Sequence, residues 1–350
     1  MIDRWDKLKG HQEQRELFQR SLQRGRLSHA YVLAGPEGIG KRLFARLLAQ
    51  SVFCREHALE ELNVCGDCRA CRGFHANAWP DYLEIGLPPG KSEIPISLIA
   101  GEGNKRGREG LCYELSMAPQ ASDRRVAVIN DANRMNAESA NALLKTLEEP
   151  PADSLILLVC DNPDSLLPTI RSRCQVVRFF PLSTNEVSEI LLQQEMVESE
   201  SDAQAVAALC EGSLETARQL LHPELRQLKA TVTKQFHQLD AIRPLKMAAS
   251  LTEGIESISS GGAEQRQNAQ WVLRFVADVL RERLLRLVKG DLSDPLTQKL
   301  GARSGVDLLE PLLARTVTAS RQIDGLSPVR LVMEALFDDI ARTIRTAVKR

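Results

Sequence analysis

The chain has 350 residues, room for two or three domains at roughly 150 residues each. Its 43% hydrophobic and 26% charged residues are ordinary globular composition and exclude an intrinsically disordered chain. A formal charge of −1 supplies no global field for nucleic acid or acidic lipid, and 4% aromatics disfavours an all-β sandwich.

The longest purely aliphatic run is residues 155–159, far short of the ~20 residues that span a bilayer. The first ten residues, MIDRWDKLKG, lack the apolar stretch of a signal peptide. The expectation is a soluble, cytoplasmic chain with no membrane partner. Cysteine usage agrees. Cys54, Cys65, Cys68 and Cys71 cluster, whereas Cys112, Cys160, Cys174 and Cys210 are scattered. A large intracellular chain needs no disulfide staples, so the cluster reads as a metal site and the singles as small buried hydrophobes.

In chain order, residues 31–34 (YVLA) read as a strand that runs into a glycine loop. The following KRLFARLLAQSVF has apolar residues at 43, 44, 47, 48 and 52, a helical repeat. Residues 82–85, 126–129, 155–160 and 175–180 read as further strands. Continuous apolar strands separated by helices predict a parallel sheet covered on both faces. Residues 88–110, rich in Gly, Pro and charge, read as a mobile loop. A helix follows Asn136 as N-cap, with Met135, Ala140, Leu143, Leu144 and Leu147 as its apolar stripe and Pro150 and Pro151 as its stop. Beyond Pro181 the pattern is helical only: short helices at 183–192, 203–210 and 214–221, then long ones at 268–288, 306–323 and 328–348. Gly261, Gly262 and residues 287–295 supply breaks. Residues 225–350 carry 20 Lys and Arg against 14 Asp and Glu, a local +6 that reads mainly as solvated helix faces.

Residues 35–42 read GPEGIGKR. The phosphate-loop template is G-x-x-x-x-G-K-[ST] between a strand and a helix. Gly35, Gly40 and Lys41 fit it, and Gly38 adds a further hinge. Such a loop turns backbone N–H groups toward phosphate and lets the lysine reach the β/γ groups. Arg42 stands where a hydroxyl would bind Mg²⁺. A second carboxylate-bearing strand end, where hydrolysing P-loop proteins carry Asp–Glu, here reads Asn130 and Asp131. ATP hydrolysis is therefore not expected, while Lys41 leaves ATP binding open.

Cys54-x10-Cys65-x2-Cys68-x2-Cys71 offers four thiolates. Four sulfurs suit a closed, tetrahedral structural Zn²⁺ site, with an Fe–S cluster as the competing metal. His57 and His75 flank the cluster and read as solvent-exposed rather than as ligands.

Together, HAYVLAGPEGIGK, the four-cysteine module after the loop's helix, NALLKTLEEPP and TIRSRC occur in this order. The combination resembles the AAA+ clamp-loader family of bacterial DNA polymerase III. The resemblance covers residues 1 to about 221 directly; the rest matches in length and helical character. It implies an α/β fold: a RecA-like P-loop domain with an inserted zinc module (about 54–71) over 1–181, a helical lid over 182–224 and an all-α collar over 225–350. Within the family, the hydrolysing gamma/tau motor would show Ser or Thr at 42, Asp–Glu at 130–131, Thr at the end of the fourth strand and arginine after the Gly-Ser of the lid. This chain has Arg42, Asn130 and Asp131, Cys160 and Asp161, and Glu215. It looks like the family's subunit without ATPase chemistry, with a gamma/tau-like motor as the alternative. The resemblance further implies a place in a polymerase holoenzyme. Its partners would be the gamma/tau motor and delta subunits in a hetero-oligomeric ring, the sliding clamp, and primed DNA reached through the complex. Arg173 of S-R-C would serve as an arginine finger in a neighbour's ATP site.

Overall fold

The computed structural model describes residues 5–237, 243–259, 261–289 and 295–348. Two compact units divide between Arg218 and Gln219.

The first unit opens with α1 (Gln12–Gln23), β1 (Ala30–Ala34) and α2 (Lys41–Phe53). The chain continues through α3 (Arg69–His75), β2 (Tyr82–Ile85), α4 (Ile96–Ala100), α5 (Leu111–Ser116) and β3 (Arg125–Ile129). Next come α6 (Ala137–Glu148), β4 (Ser154–Cys160), α7 (Pro168–Arg171), β5 (Gln175–Arg178), α8 (Thr184–Gln193), α9 (Glu200–Leu209) and α10 (Leu214–Leu220).

The five strands form one sheet in the order β2-β3-β4-β1-β5, all neighbours parallel. Every residue of β1, β3 and β4 is buried, which explains why the sequence shows apolar runs rather than alternation. The alternation is present in space. Tyr31, Leu33, Val126, Val128, Leu155 and Leu157 pack one face against Phe18 of α1 and Phe44, Leu47 and Leu48 of α2. Ala30, Val32, Ala127, Ile129, Ile156 and Leu158 face Leu115 of α5, Leu143 of α6 and Ile170 of α7. Each fully buried Val, Leu, Ile or Phe among these contributes roughly 1.5–3 kcal/mol. The expected parallel α/β sheet, covered by helices on both faces, is therefore present.

Two local readings need correction. Residues 88–110 are not a free loop. Ile94 and Ile99 are fully buried, Ile94 N–H donates to Arg134 O (2.8 Å), and the Ser139 hydroxyl donates to Ile94 O (2.7 Å). These anchors and helix α4 tie the segment to the sheet's second face. The fifth strand ends at Arg178 rather than at 180, leaving Phe180 exposed. The Asn136 cap is as expected, its side chain accepting from Ser139 N–H (2.9 Å).

The second unit is helical: α11 (Pro223–His237), α12 (Pro244–Ser257), α13 (Gly262–Val288), α14 (Pro295–Asp324) and α15 (Val329–Val348). Its core includes Val272, Val276, Leu309, Leu312, Leu336 and Phe337. The helices expected at 268–288 and 306–323 extend farther toward their N-terminal ends. Residues 290–294 of the expected 287–295 break lie outside the described residues. Among the described residues, no helix is long and apolar enough to cross a membrane.

Candidate functional site

The loop after β1 lies at the carboxyl end of the sheet, beside the end of β4, where open α/β sheets bind ligands. Gly35 N–H donates to Cys160 O (3.2 Å), fixing the loop to that strand. Gly38 has φ +76°, and a Cβ there would lie 2.4 Å from Ser213 Oγ and 2.7 Å from Glu215 Cβ. Only glycine allows so close an approach of the segment that opens α10. Leu214 N–H donates to Gly38 O (2.8 Å), so the Gly-Ser of the expected lid rests directly on the phosphate loop. Gly40 caps α2.

Both cations of the loop are engaged within the chain. Lys41 is 5% exposed, and its Nζ donates to Gly35 O (2.5 Å) and Pro36 O (2.6 Å) and lies 3.4 Å from Asp161 Oδ1. Burial holds Lys41 below the ordinary lysine value, against the attraction of Asp161. Arg42 forms an ion pair with Asp131. Burial raises the Glu37 carboxyl, and repulsion from Asp161, Glu215 and Asp131 raises it further. Glu37, Asp131, Asp161 and Glu215 thus bring four carboxylates to a loop with two cations. The four positions that differ from the motor pattern converge here. Asn130 Nδ2 donates to Glu84 Oε1 (2.8 Å), and Glu84 also receives Arg46 Nη1 (2.6 Å).

Arg173 lies just beyond α7. Its Nη1 donates to Thr169 O (2.9 Å), and its Nη2 stands 2.6 Å from Glu148 Oε1 at the end of α6. Its side chain is 35% exposed, so it is at the surface and partly held.

The four cysteines are brought together from three local structures. Cys54 caps the C-terminus of α2 in extended backbone, Cys68 caps the N-terminus of α3, and Cys71 lies in its first turn. Cys65 precedes Gly66, whose φ of +86° turns the chain between the ligands. All four sulfurs lie within 4.8 Å of one another, and Cys65 Sγ is 3.9 Å from Cys71 Sγ. A tetrahedral ion with Zn–S bonds of ~2.3 Å separates its sulfurs by about 3.8 Å, so the donor set and its spacing fit a metal. Backbone N–H groups of Cys68 and Cys71 point at Cys65 Sγ (3.3 Å) and Cys68 Sγ (3.4 Å). Burial opposes the Cys68 thiolate, but such hydrogen bonds outweigh it and bring the thiol down to about 7. Burial pushes the Cys71 thiol up to about 12, against a hydrogen bond from Gln50.

His57 is half-buried beside Glu61 (3.4 Å). His75 is not the free surface residue expected: its Nε2 is 3.2 Å from Gln50 Nε2. Gln50 was invisible to motif reading. The available signal was its position one turn before Cys54, as His75 is one turn after Cys71. A buried pair behind the sheet edge was also missed. Asp81 is fully buried and accepts from Gln120, Ala121 and Ser122 N–H (2.7–2.8 Å) and from the Ser122 hydroxyl (2.6 Å), with Arg125 Nε at 3.7 Å. Burial opposes the Asp81 charge, and these hydrogen bonds overcome it, so the carboxyl sits below its ordinary value.

Comparison with known proteins places the chain among replication subunits. A family model described as DNA polymerase III, delta subunit, matches residues 10–183. The chain is 34% identical over 236 residues to the DNA polymerase III subunit delta′ of Pseudomonas aeruginosa, covering 67% of this chain and 68% of that protein. It is 33% identical over 226 residues to the delta′ subunit of Bacillus subtilis, covering 64% of this chain and 63% of that protein. It is 27% identical over 222 residues to subunit tau of Bacillus subtilis, covering 62% of this chain and 37% of that protein.

Proposed function

Because the chain belongs to the delta′ subunit family of DNA polymerase III, we propose that it is a clamp-loader subunit that does not hydrolyse ATP itself. It helps load the sliding clamp on primed DNA and lends Arg173 to a partner's ATP site. The observation that carries the non-hydrolysing reading is the Arg42–Asp131 ion pair. Arg42 stands where the template has the magnesium-binding hydroxyl, and its charge is taken up by Asp131. Lys41 Nζ is engaged by its own loop carbonyls, Gly35 O and Pro36 O.

The arginine reading is supported by the S-R-C context and by the surface position of the side chain. A planar, permanently charged guanidinium matches the charge that builds on a transferring γ-phosphoryl group. In this reading Arg173 leaves Glu148 for a phosphate oxygen of the adjacent subunit. Its partners are the gamma/tau motor and delta subunits in a ring, the clamp, and DNA reached through that ring, all in the cytoplasm. The motor alternative draws on the likeness to tau but meets the opposing chemistry at Arg42, Asn130, Cys160 and Glu215.

For the cysteine site we take the metal to be structural Zn²⁺, held by Cys54, Cys65, Cys68 and Cys71 with no position open to substrate. When bound it supplies cross-linking of α2, the intervening turn and α3. Residues 1–181, 182–224 and 225–350 are read as ATPase-like body, lid and collar. Co-purification of the chain with motor and delta subunits tests the assignment. A ring lacking this chain should fail to load clamp on primed DNA, and a chain that enters no such ring would refute it.

A further inference from the structure

Gln50 is fully buried although it is a primary amide, and its Oε1 has no hydrogen-bond partner. A buried amide that leaves its oxygen unpaired is costly, so its N–H side must be what the site retains. That side faces His75 on α3. Gln50 Nε2 lies 3.2 Å from His75 Nε2, a contact that joins α2 to α3. Both partners are tied to the sulfur set by one helical turn. Cys54 N–H donates to Gln50 O (2.9 Å) on α2, and His75 follows Cys71 by four residues on α3. Phe53 and Phe74 pack alongside, with ring centroids 6.3 Å apart.

The geometry points to Gln50 and His75 as positioning residues of the metal site, their contact clamping α3, which carries Cys71, to α2, which ends at Cys54. Donation from the amide requires the imidazole proton on Nδ1, leaving Nε2 as acceptor. The amide N–H then fixes the helix that carries Cys71. Groups that orient a metal's ligands in this way change affinity by about 10- to 100-fold when removed. The inference rests on reading the four cysteines as a metal site.

The test compares the full wild-type chain with Gln50→Leu, His75→Leu and His75→Gln. Bound zinc is measured, then its transfer to a competing chromophoric chelator, and the cobalt–thiolate absorption after Co²⁺ substitution. Gln50→Leu and His75→Leu should weaken zinc retention about 10- to 100-fold and shift the cobalt bands. His75→Gln offers an acceptor of similar reach and should recover most of the retention. Wild-type retention and an unchanged cobalt spectrum in both leucine variants would overturn the clamp while leaving the metal site intact. If Gln50→Leu does not fold, the Leu and Gln variants at 75 decide alone, equal behaviour of the two counting against the clamp. A wild-type chain that binds neither zinc nor cobalt would refute the metal site, and the clamp with it.

Discussion

Arg173 Nη2 stands 2.6 Å from Glu148 Oε1, so the arginine of S-R-C is held by the carboxylate that ends α6. Both side chains are well exposed, at 35% and 49%, and exposed pairs are worth about 0.2–1 kcal/mol. The contact can therefore be exchanged for a phosphate at small cost. Glu148→Gln should change the ATPase of reconstituted rings by no more than about 5-fold, the factor that 1 kcal/mol allows. A loss as deep as that from removing Arg173 would assign Glu148 a larger part than holding the side chain in place.

The isolated chain should not hydrolyse ATP. Arg42 lacks the hydroxyl that would bind Mg²⁺, and Asp131 is neutralised by it. Phosphate release with purified chain, ATP and magnesium should stay at background, with Lys41→Ala indistinguishable from wild type. A magnesium-dependent turnover abolished by Lys41→Ala would restore the motor alternative. Nucleotide binding without turnover is compatible with the proposal.

The cysteine site should contain about one zinc per chain. Thiols must lose their protons to bind it, and burial opposes that loss at Cys71. Zinc affinity should therefore fall as pH falls. Cys68→Ser should loosen residues 54–75 more than the sheet, which hydrogen exchange can resolve. Iron in place of zinc, or no metal in protein kept reduced and free of chelator, would contradict the assignment.

Much of this was legible in the sequence, and the limits have physical causes. The cysteine spacing and the P-loop glycines lie within short segments, so the chain itself displays them. The Arg42–Asp131 pair joins residues 89 positions apart and becomes visible only when β1 and β3 share a sheet. Glu148 sits inside a recognisable motif, yet nothing in LEEPP names Arg173 as its partner. Residues 88–110 misled because two anchoring isoleucines among glycines and prolines make no period. Gln50 was hidden because a glutamine in an amphipathic helix ordinarily faces water.

The buried pair of Asp81 and Arg125 predicts an acid-sensitive fold. Asp81 is held below its ordinary value, so its contribution is full above about pH 4 and is lost as pH falls through the lower folded value. Asp81→Asn should destabilise the first unit by about 3 kcal/mol near neutrality, since Arg125 would lose its buried counter-charge and keep only the half-exposed Glu114 at 3.6 Å. The gap between variant and wild type in thermal melts should close as pH drops below that range. A gap independent of pH would show that the carboxylate's charge is not what matters.

The central claim is that a chain unfit to use its own phosphate loop completes a neighbour's, and ring ATPase with Arg173 variants tests it most directly. Rings of equal composition are assembled with wild-type, Arg173→Ala and Arg173→Lys chains, and assembly is checked before rates are compared. Removing an arginine finger can cost ~10³-fold or more at one site, and the whole ring should lose less because other sites keep their own. Ring ATPase and clamp-loading rate should fall with Arg173→Ala. Rescue with Arg173→Lys should be incomplete, because a point charge lacks the planar fork. Equal rates for all three rings would contradict the claim and leave Arg173 as a helix-capping residue paired with Glu148.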